Sequence, residues 1–176
     1  MEDHLDELFI YKTTGQSMNR LRAEIKKLLK KNYRVEYEDS SSGSSFMVII
    51  KGPENTPFSH GKYKIRIFLP KDFPFKSPSI GFVTKVFHPN IDESSGSVCL
   101  DVLNQVWSPL YDVSNIIETF LPQLLAYPNP DDPLNIEAGR LYRENIVAYE
   151  RKVSEYVDQY ARGEDSLDAD LFEEIM

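Results

Sequence analysis

The chain has 176 residues, a mass of 20.3 kDa and a formal net charge of −8, with 41% hydrophobic and 27% charged residues. That suits one globular domain with a sizeable core. The acidic balance argues against nucleic-acid binding, and no apolar run approaches the roughly 18 residues of a membrane helix.

Residues 1–15 open on the acidic Met1-Glu2-Asp3-His4 and carry only a short Leu8-Phe9-Ile10-Tyr11 cluster. A signal peptide needs a basic start and an apolar core, so secretion is not expected. This stretch is set apart as an N-terminal extension. From Ser17 to Lys31, Leu21, Ile25, Leu28 and Leu29 recur at i, i+4, i+7 and i+8, which predicts a helix with one apolar stripe. Six bases (Arg20, Arg22, Lys26, Lys27, Lys30, Lys31) surround it, against the single acid Glu24.

Strand signals follow at Tyr33–Tyr37, Phe46–Ile50, Tyr63–Leu69 and Ile80–Val83. The run Ser40-Ser41-Ser42-Gly43-Ser44-Ser45 is a hairpin connection, and Gly and Pro breaks separate the later strands, as in an antiparallel meander. The three prolines from Pro70 to Pro78 demand an extended crossing. Phe73-Pro74 is a candidate cis bond.

The second half reads as helical. Asp112 is placed to cap a central helix whose apolar face holds Val113, Ile116, Ile117, Phe120, Leu121, Leu124 and Leu125. Pro122 lies inside it and predicts a lost hydrogen bond and a bend. The segment Pro128-Asn129-Pro130-Asp131-Asp132-Pro133 forbids helix and predicts a rigid loop. Two more helices are expected near Ile136–Tyr142 and Ile146–Ala161. Residues 163–176 form a tail with six acids and no base. The fold class is therefore α+β: a four-stranded antiparallel meander with an N-terminal helix, a central helix and two C-terminal helices, spanning 16–162.

Cys99 is the only cysteine, which excludes an internal disulfide and a multi-cysteine zinc site. His4, His60 and His88 form no ligand pair, so no metal is expected. On composition alone Cys99 reads as a buried small hydrophobe. Its neighbourhood changes that reading.

Gly52-Pro53-Glu54-Asn55-Thr56-Pro57-Phe58, Phe73-Pro74-Phe75-Lys76-Ser77-Pro78, His88-Pro89-Asn90-Ile91 with Gly96-Ser97-Val98-Cys99-Leu100-Asp101, Trp107-Ser108-Pro109 and Asp131-Asp132-Pro133-Leu134 follow in that order. Together they resemble the turn, proline-rich loop, active-site signature and flanking loops of ubiquitin-conjugating enzymes, over about 16–161. The resemblance implies the UBC fold and acyl transfer. Cys99 would be the thioester nucleophile. Asn90 would support the active-site loop or the developing oxyanion, and Asp132 would be an acidic gate for the incoming lysine, with His88 and Leu134 supporting. Phe75, Pro109 and Leu110 would dock a RING-type ligase, and Arg20 and Arg22 the activating enzyme or ligase.

The same resemblance implies ubiquitin, an activating enzyme and a lysine-bearing substrate as partners, and a monomer in the cytoplasm or nucleus. No cofactor is expected. No G-x-x-x-x-G-K-[ST] pattern occurs, so ATP would be used only through the activating enzyme. Phe120-Leu121-Pro122-Gln123-Leu124-Leu125-Ala126-Tyr127-Pro128-Asn129-Pro130 and the nine-residue step from Asn90 to Cys99 are similar to the acidic-tailed subgroup that works with CTLH/GID-type ligases, and the tail suits either steering of a basic, histone-like substrate or a solubilising end. The competing readings are a non-catalytic module of the same fold, an enzyme for SUMO or NEDD8, and a cysteine protease using His88.

Overall fold

The computed structural model describes residues 16–37 and 45–162. The expected extension at 1–15, the tip of the serine-rich turn and the acidic tail at 163–176 lie outside the described residues. Helix α1 (Gln16–Lys30) leads into strands β1 (Val35–Tyr37), β2 (Ser45–Lys51), β3 (Lys62–Phe68) and β4 (Ser79–Phe82). The strands form one antiparallel sheet in the order β1-β2-β3-β4, the meander that the breaks in the sequence predict.

Alternation along the strands sends Phe46, Val48 and Ile50 of β2 and Tyr63, Ile65 and Ile67 of β3 into the core. Register pairs Val48 with Ile65 and Ile65 with Phe82, so buried residues sit opposite buried residues. From α1, Leu21, Ile25 and Leu28 complete that layer. Leu29, placed on the same stripe by its spacing, is 41% exposed. At 100° per residue it lies about 80° from Leu21, at the edge of the stripe.

The proline-rich crossing holds a cis Phe73–Pro74 bond, as expected. Beyond it lies α2 (Leu100–Val106), which the sequence reading did not place. Its seven residues bury only Leu103, too few to set up a period.

The central helix, α3, spans residues 113–126. Asp112 caps it through a reciprocal pair: the Asn115 N–H donates to Asp112 Oδ1 at 3.1 Å, and the Asp112 N–H to Asn115 Oδ1 at 2.8 Å. The hydrogen bond that Pro122 was expected to cost is accommodated by a change of helix type. The turn Ile116–Phe120 widens to a π-helix, and α-helix resumes at Leu121–Ala126 with the proline in its first turn. An N–H is dispensable there, and the wider turn absorbs the missing bond. Helices α4 (Ile136–Glu144) and α5 (Ile146–Tyr156, continued by a π-turn at Val157–Ala161) close the chain's described part, capped by Asn135 and Asn145.

One buried acid fastens α1 to α3. Glu24 is fully buried, and its Oε2 accepts the Val113 N–H at 3.0 Å. Its Oε1 lies 3.4 Å from both Arg20 Nε and Lys27 Nζ. Removing this acceptor leaves a buried N–H unpaired and takes the carboxylate from Arg20, while Lys27 keeps Asp112 at 3.5 Å. Glu24→Ala is expected to lose about 3 kcal/mol in urea unfolding, and Glu24→Gln, which keeps an acceptor oxygen, clearly less.

Candidate active site

The segment carrying His88, Pro89 and Asn90 is buried and irregular, so its polar groups need partners from elsewhere. The His88 ring takes one at each nitrogen. Nδ1 accepts the Asn90 N–H at 3.0 Å, so the proton sits on Nε2 and is donated to the Leu124 carbonyl at 2.7 Å. Burial pushes its pKa down to about 4, against the opposing pull of the Leu124 carbonyl. Both nitrogens are engaged and the ring is neutral. This is a structural histidine, and the geometry gives no base for a cysteine–histidine protease.

Asn90 is 1% exposed and makes a two-point bond to one residue. Its Nδ2 donates to the Asn129 carbonyl at 2.7 Å, and its Oδ1 accepts the Asn129 N–H at 2.9 Å. Between them, the Pro89 carbonyl accepts the N–H groups of Leu134 (2.9 Å) and Asn135 (3.2 Å). The loop before α4 is thus sewn to the 88–90 segment along its length. That loop carries Asp132, which is exposed and held at φ +52°, and Leu134, also exposed.

Cys99 reaches the same segment from the other side. Its N–H donates to the Asn90 carbonyl at 2.9 Å. It is half-buried and stands at the N-cap of α2, where its side chain makes no capping hydrogen bond. The nine-residue step from Asn90 closes through a tight turn. Asp92 Oδ2 accepts the Ser95 N–H at 2.8 Å and the Ser94 and Ser95 hydroxyls at 2.7 Å each. These bonds, led by the Ser95 hydroxyl, hold its carboxyl down at about 2. Gly96 turns the chain at φ +74°, and its carbonyl accepts the Phe82 N–H of β4 at 2.7 Å.

A second cluster joins the proline-rich crossing to the loop after α2. Trp107 Nε1 donates to the Pro74 carbonyl at 2.9 Å, and the Trp107 and Phe73 rings lie 5.6 Å apart. The Arg20 guanidinium stands over Phe73 at 5.3 Å. This packing leaves Phe75 79% and Leu110 93% exposed, with Pro109 exposed beside it. Arg22 is half-buried on α1. Among the described residues no group of three or more His, Cys, Asp or Glu side chains is placed to hold a metal.

Three residues of the site were missed by sequence reasoning: Asn129, Asp92 and Gly96. Asn129 had a signal. Pro128 and Pro130 lack N–H groups, so Asn129 supplies the one donor in a stiff segment. Asp92 with Ser94 and Ser95 two and three residues on was a turn signature.

A family model for ubiquitin-conjugating enzymes matches residues 17–157. The ubiquitin-conjugating enzyme E2 5 of Arabidopsis thaliana is 50% identical over 143 residues, covering 81% of this chain and 77% of the relative. The ubiquitin-conjugating enzyme E2-24 kDa of Saccharomyces cerevisiae is 47% identical over 150 residues, 85% and 68% respectively. The E2 domain of a Toxoplasma gondii ubiquitin-conjugating enzyme superposes with a TM-score of 0.73 at 27% identity, covering 83% of this chain and 99% of that one. The chain belongs to the ubiquitin-conjugating enzyme family, has its fold, and is an E2 acyltransferase.

Two outcomes follow from this geometry. The unfolded chain protonates His88 near 6.5 and the folded one near 4, so stability rises with pH between those values. Unfolding free energy should fall by on the order of 3 kcal/mol from this group as pH drops through that window. Denaturant titrations of His88→Gln should lack that component of the slope. At Gly96 a Cβ would lie 1.9 Å from the Phe82 carbonyl oxygen. Gly96→Ala should therefore melt earlier than wild type by calorimetry, while Ser94→Ala, on the exposed side of the turn, shifts far less.

Proposed function

We propose that Cys99 receives ubiquitin from an activating enzyme as a thioester and passes it to a substrate lysine with a RING-type ligase. The observation that carries this reading is the convergence on one rigid segment: Cys99 bonded to the Asn90 carbonyl, and the Asp132 loop bonded to Pro89 and Asn90. The Cys99 sulfur attacks the activated carbonyl, a new C–S bond forms, and the activating enzyme's thiolate leaves. The lysine amine then attacks the same carbonyl. An amide forms, the Cys99 thiolate departs, and the amine's proton is released. Thioester and amine are reactive partners, so placement and local charge supply the rate and no imidazole base is needed. Asp132, exposed on the tethered loop, is the acid offered to the incoming ammonium, and Leu134 is the apolar contact beside it.

Phe75, Pro109 and Leu110 form the ligase-facing surface, supported by exposed apolar side chains on two loops tied together through Trp107. Arg20, fixed over Phe73 and paired with Glu24, belongs to the same surface, and Arg22 extends it along α1. The stretch 120–130 and the Asp92 turn support the CTLH/GID-type subgroup, and the acidic tail a basic substrate, in the cytoplasm or nucleus. ATP enters only through the activating enzyme.

Incubation with activating enzyme, ATP and ubiquitin should give a thiol-sensitive adduct on a non-reducing gel, absent in Cys99→Ala. No adduct with ubiquitin, beside one with SUMO or NEDD8 and its own activating enzyme, would overturn the choice of modifier. Asn90→Ala removes both bonds to Asn129 and should slow lysine discharge at least tenfold. Asp132→Asn, which suits the left-handed backbone at φ +52°, should slow it less and leave the melting temperature unchanged.

A further inference from the structure

The chain from Asn90 to Cys99 folds back on itself as an irregular hairpin, held differently on its two sides. At its base the Cys99 N–H donates to the Asn90 carbonyl at 2.9 Å, and one rung on Ile91 pairs with Val98. At its tip the Asp92 N–H donates to the Ser97 carbonyl at 3.0 Å, and the Gly96 N–H to the Asp92 carbonyl at 2.8 Å. The strand that runs into Cys99 is laid on β4. Ser97 pairs with Gly81, and the Val98 N–H donates to the Ile80 carbonyl at 3.0 Å. The strand that leaves Asn90 lies on the far side of the hairpin from β4. Its outer end is taken up by α5, where the Tyr156 hydroxyl donates to Glu93 Oε1.

Tyr156 is itself fixed by packing. It is half-buried at the end of α5, and its ring centre lies 5.4 Å from that of Phe87 and 5.4 Å from that of Tyr160. Phe87 is fully buried and directly precedes His88. One side chain of α5 thus touches both the start of the anchoring segment and the tip of the cysteine hairpin. Burial first, and then the Glu93 carboxylate, push the phenol pKa up, so the hydroxyl keeps the proton it donates. A hydroxyl bonded to a carboxylate is stronger than a neutral pair. Glu93 also sits inside the turn that Asp92 closes with Ser94 and Ser95, so a hold on its side chain is a hold on the whole tip.

We infer that Tyr156 and Glu93 are a positioning pair for the cysteine: they set the tilt of the 90–99 hairpin from the side opposite β4, and with it the placement of Cys99 against Asn90 and the Asp132 loop. The inference rests on the thioester reading of Cys99. Both residues act through the backbone between Glu93 and Cys99 and neither acts on the reacting atoms. Without their bond the hairpin is held at its base and along β4 and is free to tilt about that edge. A small misplacement of the thioester lowers the maximal rate of transfer without changing how lysine is bound.

The test compares Tyr156→Phe, which keeps the ring and deletes the hydroxyl, with Glu93→Ala and with Glu93→Gln, which keeps an acceptor oxygen. Each full chain is charged with ubiquitin and isolated, and single-turnover discharge is followed over a range of free lysine. Tyr156→Phe and Glu93→Ala should each lower the maximal rate about fivefold at an unchanged half-saturating lysine concentration. The double variant should be no slower than either single one, because both remove the same bond. Glu93→Gln should stay within about twofold of wild type. A wild-type maximal rate in Tyr156→Phe, equal slowing by Glu93→Gln, losses that multiply in the double variant, or a loss that matches the unfolded fraction in thermal melts would each overturn the proposal. Failure of the thioester reading shows separately, as no adduct on the wild-type chain. The pair is then read from amide NMR spectra, where Tyr156→Phe should move the signals of Ser97, Val98 and Cys99, and shifts confined to α5 and Glu93 would overturn it.

Discussion

The buried His88-Pro89-Asn90 segment is where the parts of this domain are held together, and it works through backbone groups that have no helix or strand to satisfy them. Its carbonyls and side chains take bonds from Cys99, Asn129, Leu134 and Asn135, and give one to the Asn129 carbonyl and one to Leu124 of the central helix. Each of these would cost a buried polar group if unmade. The cysteine segment, the loop before α4 and α3 therefore share one anchor. The neutral state of His88 is part of that requirement, since a proton on Nδ1 would face the Asn90 N–H.

That arrangement separates rigidity from reactivity. The segment is buried and tied on several sides, while Cys99, Asp132 and Leu134 stand at its margins and Phe75 and Leu110 on the neighbouring loops, half-buried or exposed, where the proposed function needs them. Loops that bind large partners must be accessible yet hold their shape. Here the shape comes from short bonds behind the surface: Trp107 to Pro74 for one pair of loops, Asn90 to Asn129 for the other.

Much of this was legible in the sequence, where the signal was periodic or chemical. The strands of the meander were read from alternation with Gly and Pro breaks, and α3 from a wide apolar face behind Asp112. The candidate site was legible as a set of motifs in order, including the long step to Cys99. Features that depend on distant partners were not. Nothing local tells that Glu24, one acid among six bases, turns inward, because its reason is the Val113 N–H 89 positions away. At Pro122 the lost bond was legible, but not that a π-turn at Ile116–Phe120 would take it up. Helix α2 is too short to show a period.

In the proposed reaction, the structural and chemical roles of Asn90 need not compete. A carboxamide has two N–H donors and one oxygen acceptor. The bond to the Asn129 carbonyl uses one donor, and the Asn129 N–H occupies the oxygen. The second donor is the only part of the side chain left for a developing oxyanion. The first two bonds also fix the orientation of that donor, and a donor held in advance stabilises charge without reorganising. Replacement by Asp keeps the acceptor, loses both donors and sets a negative charge against the Asn129 carbonyl. Replacement by Ser keeps one donor on a shorter stem. The loop attachment and the proposed oxyanion contact thus fall to different hydrogens of one nitrogen, and a substitution that spares one at the expense of the other has to act on geometry rather than on charge alone.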